Sequence, residues 1–96
     1  MITHLTPKMV LVLWQDCQSH EGWNDLPKDD ADVALPLIET VGWLIAESPT
    51  VVCVASSFDS SNESACMRMD IPRATIVQIQ ELDVLRNVRN AYKEQK

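Results

Sequence analysis

Leu35–Glu47 reads LPLIETVGWLIAE, and the fold class turns on whether it is helix or strand. Apolar spacing alone permits a helix. Pro36, Thr40, Val41 and Gly42 oppose one: proline lacks a donor, β-branched side chains crowd the preceding turn, and glycine is costly in a helix interior. The same residues suit one long strand, bent near Gly42 where a missing side chain permits a bulge. Ser48–Pro49 makes a tight connection to Thr50–Ser56, TVVCVAS, so the two strands form a hairpin. Upstream, Met9–Trp14 is MVLVLW, too short for a helix and rich in β-branched residues. It reads as a first strand over roughly 8–16, buried on both faces, with Pro7 at its start.

The downstream residues continue the pattern. Ser57–Ser64 is a polar loop. In Ala65–Ile71, Met67, Met69 and Ile71 alternate with Cys66, Arg68 and Asp70, the two-residue period of a half-exposed strand. Pro72–Ala74 is a turn, and Thr75–Leu82, TIVQIQEL, a short fifth strand. Asp83 reads as a helix N-cap. Leu85, Val88 and Tyr92 follow at helical spacing, with Arg and Lys toward the end, so a helix is expected over about 84–94. Between the first two strands lies a polar loop, Cys17–Asp32, in which Asp29, Asp30 and Asp32 suit a short helical N-terminus. Loops this long tend to be functional. Five strands without alternating helices predict an all-β fold: a small five-stranded antiparallel barrel over about 8–82 with a C-terminal α-helix.

Composition narrows the function. The 96 residues make one domain, 1–96, with 46% hydrophobic residues and a formal net charge of −6. Only Gly22 and Gly42 are present, which excludes a glycine-rich phosphate loop. Residues 1–70 carry −8, and residues 71–96 carry +2 through Arg73, Arg86, Arg89, Lys93 and Lys96. General nucleic-acid binding is excluded by the acidic total, although a basic tail can meet an anion or the acidic body of another copy. Cys17, Cys53 and Cys66 form no disulfide framework, and Cys53 reads as a small buried hydrophobe; a reducing cytoplasm is expected. No stretch reads as a signal peptide or a membrane span. A chain this short buries little surface alone, so self-association is expected.

The short motifs resemble those of small, uncharacterised phage proteins. They are Trp14-x-Asp16, Ser19, Gly22-Trp23, Val41-Gly42-Trp43 and Ile71-Pro72. The bent strand with Val41-Gly42-Trp43-Leu44, and Ile71-Pro72-Arg73 followed by Ile76, Ile79 and Leu82, also resemble SH3-like and Sm-like small barrels. The resemblance spans roughly residues 9–82. It implies a turn of 3₁₀ helix begun by Pro72, homo-oligomeric rings joined through edge strands, and a place in the host cytoplasm. Sm-type RNA binders carry an Asp-x-x-Met-Asn element and an Arg-Gly pair. This chain has neither, since Arg73 precedes Ala74, and a uridine-binding ring is not implied.

Six residues are candidates for binding a ligand or partner: Trp14, Asp16, Ser19, Trp23, Arg68 and Arg73. Trp14 and Trp43 are expected to fill the barrel. Trp23 sits in a polar loop and either folds back over the barrel or anchors a contact, with Asp16 and Ser19 as polar companions. Arg68 and Arg73 either pair with neighbouring acids or, multiplied by symmetry, form an anion site. Asp16, Cys17, His20, Glu21 and Asp25 share a loop but lack paired metal-ligand spacing. Cys17 and His20 lack an orienting group. No metal, cofactor or enzymatic activity is therefore expected. Two functions follow: a phage accessory protein that binds and blocks a host factor in counter-defence, or an oligomeric sponge for a small anionic nucleotide signal of host immunity.

Overall fold

The structure is a computed structural model that describes residues 1–83 except 60 and 62. The helix expected over 84–94 lies outside the described residues. Five strands, β1 (Thr3–Gln15), β2 (Leu37–Glu47), β3 (Val51–Asp59), β4 (Ser64–Pro72) and β5 (Ile76–Glu81), form one antiparallel sheet in the order β4-β3-β2-β1-β5. The described residues are thus all-β, as the alternation and the helix-opposing residues predict. Among them, no helix is long and apolar enough to cross a membrane.

The strands run further than their apolar residues. β1 begins five residues before the expected position and passes through Pro7. The β1–β2 register shifts between His4 and Lys8, so the proline sits where the regular ladder is interrupted. At the other hairpin, Ser57, Phe58 and Asp59 pair with Cys66, Ala65 and Ser64, although their polarity predicts a loop. Backbone pairing is indifferent to side-chain polarity when both faces are open to water.

Gly42 acts differently from expectation. The β2–β3 irregularity falls at Ile45, between Leu44 and Ala46, and not at the glycine. A Cβ on Gly42 would lie 2.9 Å from the Ala55 carbonyl oxygen. The glycine is there to let β3 approach β2 closely, not to bulge the strand. The β2–β3 connection is held by Ser48, whose N–H donates to Val51 O at 2.8 Å and whose hydroxyl accepts from the Val51 and Thr50 amides.

The core lies on one face of the sheet. Val10, Val12, Leu44, Val52, Val54 and Ile71 are buried there, with Leu5, Trp14 and Ile76 packed against them. Only Ile71 of β4 is buried in this core; Met69 pairs with Val54 but stays exposed on the edge strand, and Met67, at φ +54°, interrupts the alternation and is exposed. Trp43 does not join Trp14 in the core. It pairs in register with Met9, one residue from buried Val10, and therefore lies on the reverse face. There its ring meets Phe58 edge to face, centroids 5.3 Å apart. β1 is buried on one face only, since Met9, Leu11 and Leu13 on the reverse face are half-buried.

Candidate functional site

The β1–β2 connection, residues 16–36, is 21 residues long and stands out from the sheet chemically. Its neck is closed by the Asp16 N–H donating to Pro36 O at 3.1 Å. Inside, three local devices shape the backbone. Gly22 takes φ +74°, the left-handed region open to glycine. Asn24 Nδ2 donates to the Glu21 and Gly22 carbonyls at 3.1 and 3.3 Å. Asp29 caps a 3₁₀ turn over Asp30–Val33, with reciprocal bonds between Asp29 and Asp32. The short helical N-terminus read from the three aspartates is present.

These devices hold Trp23 out in solvent. Its relative exposure is 104%, so it does not fold back over the sheet. Leu26, at 84%, is nearly as bare, and Val33 and Leu35 are also exposed. Leu26, Val33 and Leu35 border an open groove of about 640 Å³ whose walls include His20, Asn24, Asp25 and Lys28. Exposed polar residues were legible in the sequence here. The exposed leucines and valine were not, because spacing cannot show which apolar residues find a neighbour.

The charges are segregated. Among the described residues, each Lys and Arg outside the loop faces a carboxylate. Lys8 pairs with Glu81 at 3.7 Å, Arg68 with Asp70 at 3.1 Å, and Arg73 with Glu47 at 2.6 Å. The loop holds six acids (Asp16, Glu21, Asp25, Asp29, Asp30, Asp32) against Lys28, and none of them is in a described ion pair. Asp16 accepts from the Cys17 N–H, and Asp32 from the Lys28 and Asp29 amides, and neither carboxylate meets a cationic side chain among the described residues.

The six candidate residues fall into three groups. Trp14 is structural: its indole N–H donates to Thr40 Oγ1 at 2.9 Å, and its ring packs on the core. Asp16, Ser19 and Trp23 share the loop, with Asp16 half-buried at the neck and Ser19 exposed. Arg68 and Arg73 belong to the sheet. Arg68 forks onto both carboxylate oxygens of Asp70. Arg73 donates to Glu47 and, through Nε, to the Ser48 carbonyl at 3.0 Å, clasping the β2–β3 turn. It stands in a 3₁₀ turn, Arg73–Thr75, capped by Pro72, as expected for the Ile-Pro turn.

Cys17 and Cys66 are exposed thiols and Cys53 is buried. Burial pushes the Cys53 pKa up, and the hydrogen bond and negative charge of Asp70 add to the rise. Among the described residues, no group of three His, Cys, Asp or Glu side chains is placed to hold a metal ion. Comparison with protein-family models, with curated proteins and with solved structures finds no match for this chain.

Proposed function

We propose that this chain is a non-enzymatic accessory protein of phage type that binds a host protein through loop 16–36 and blocks it, in counter-defence. One observation carries the reading: a fully exposed tryptophan on a hydrogen-bonded turn, within a loop whose carboxylates have no cationic partner among the described residues. Tryptophan is enriched among residues that dominate interface energies, and a pre-shaped turn lowers the ordering cost of binding. The fitting partner has an apolar pocket for Trp23 within a basic surface. Unlike charges speed the encounter and reject acidic surfaces.

The same proposal includes a five-stranded SH3-like or Sm-like small barrel that assembles as a homo-oligomer in the host cytoplasm. The strand order supports the barrel, with first and last strands adjacent and the Ile-Pro 3₁₀ turn before β5. So does the burial of Val12, Val52 and Ile71, each 0–1% exposed, on a sheet that no second described layer covers. A sheet curled onto itself, as the proposed barrel requires, would bury these residues in this way. β4 and β5 are the edges through which copies would join.

Affinity capture from host lysate tests the binding reading. Wild type should retain a basic protein that Trp23→Ala loses and that moderate salt weakens. Equal recovery by both proteins would overturn it. The sponge reading ranks second, because Arg68 and Arg73 already grip Asp70 and Glu47. Calorimetric heat with a cyclic nucleotide, abolished by Arg68→Ala, would reverse that order.

A further inference from the structure

We propose that two copies of this chain join through β5, the same strand of each, in an antiparallel two-fold pair. The inference rests on the homo-oligomeric part of the proposed reading and narrows its joining edges from two to one. β4 and β5 are the two edges of the sheet, and they are built differently. An edge strand offers N–H and C=O groups to any other strand unless something blocks it. β4 is blocked. The Arg73 N–H donates to Thr50 O at 2.8 Å in the register of the β3–β4 ladder, and antiparallel strands alternate, so Cys66, Arg68, Asp70 and Pro72 turn their backbone groups outward. Pro72 has no N–H to offer. The Cys66 carbonyl accepts from the Ser56 hydroxyl at 3.2 Å. Met67, between Cys66 and Arg68, has φ +54° and drops out of the β3–β4 pairing.

β5 is open. The Leu82 N–H donates to Met9 O at 2.9 Å in the register of the β1–β5 ladder, so Ile79 and Glu81 turn their backbone groups outward. From Ile76 to Gln80 the strand holds no charge and no proline, and its one irregularity is Val77, which the β1–β5 register skips. A second copy fits this edge. With the two-fold axis at Ile79, the N–H of each Ile79 meets the carbonyl of the other. Gln78 then lies beside the second copy's Gln80, and Val77 beside its Glu81. Ile79 is 36% exposed and stands in register with Val12 of the core, so a second Ile79 carries the apolar row across the join. Like charges stay apart. The two Glu81 residues are about 14 Å from each other along the strands, beyond the screening length of about 8 Å at physiological salt. Each also pairs with Lys8 of its own copy. Joining β4 to β5 would build a ring or a filament, whereas joining β5 to itself closes as a dimer.

Sedimentation equilibrium and amide exchange of the full chain, each over a range of protein concentration, decide. The expected result is a monomer–dimer equilibrium in which exchange at Ile79 and Glu81 slows at least tenfold as dimer forms, while Cys66, Arg68 and Asp70 stay unchanged. The exchange measurement uses the native chain and needs no variant to fold. Ile79→Lys sets two lysines against each other and should weaken the dimer at least tenfold. Val77→Lys meets the second copy's Glu81 and should retain the dimer; its loss would overturn the pairing at Ile79. A monomer up to millimolar concentration would overturn both this inference and the homo-oligomeric reading. Trimers or larger rings, or slowed exchange along β4, would overturn this inference and leave that reading standing. Protection of Ile79 that does not change with concentration would overturn it as well.

Discussion

Loop 16–36 and the five-stranded sheet use the same kinds of residue in opposite ways. In the sheet, Val10, Val12, Val52, Val54 and Ile71 point into one cluster, and every described cation outside the loop meets a carboxylate. In the loop, Trp23, Leu26 and Val33 stand in water, and the loop carries six acids and one lysine. The loop is still shaped, but by Gly22, Asn24 and the Asp29–Asp32 cap, all acting within a few residues. Local hydrogen bonds can fix a backbone without covering its side chains. What the sheet uses for folding, the loop leaves available for contact.

That contrast breaks if stability does not follow it. The largest separation is expected between Ile71→Ala and Leu26→Ala, the same kind of truncation in the two regions. Ile71 is 1% exposed, and its truncation should cost about 2–5 kcal/mol in urea unfolding. Leu26 should change stability by less than about 0.5 kcal/mol. Equal losses would mean that the loop is packed in solution.

The two glycines sharpen the comparison at a smaller scale. Gly42→Ala drives a Cβ against the Ala55 carbonyl and should cost about 1–3 kcal/mol, with the β2–β3 amide shifts disturbed. Gly22→Ala meets nothing within 4 Å. Its cost is the left-handed backbone alone, about 1 kcal/mol, and its spectral changes should stay inside the loop. A smaller loss at Gly42 than at Gly22 would reverse the assignment of fold and surface. The smallest expected effect concerns charge. Arg73→Ala removes an exposed pair with Glu47 and should cost about 0.5–1 kcal/mol, reduced by salt, whereas Lys28→Ala should leave the unfolding midpoint unmoved.

Much of this was legible in the residues. Pro36, Thr40, Val41 and Gly42 point to a strand over Leu37–Glu47, and Ala65–Ile71 was legible as the β4 strand, although of its alternating apolar residues only Ile71 is buried. Both rest on short-range sterics and alternation, which act residue by residue. Strand ends were less legible. Thr3–His4 and Ser57–Asp59 carry little apolar signal and are strand because a neighbouring strand offers them hydrogen bonds. The candidate site was legible as a long acidic loop with an isolated tryptophan.

By itself, then, the sequence determined the all-β class, the five strands, the Asp29 cap and the surplus of acid, because each follows from local geometry or from counting charge. Only the tertiary structure decided which partner each group meets. It put Trp43 on the face opposite Trp14, set Gly42 against a carbonyl of β3, gave Arg68 and Arg73 to carboxylates, and left Trp23 fully exposed. Burial and ion pairing depend on residues distant in the chain, and their proximity is a property of the register between strands rather than of any one stretch.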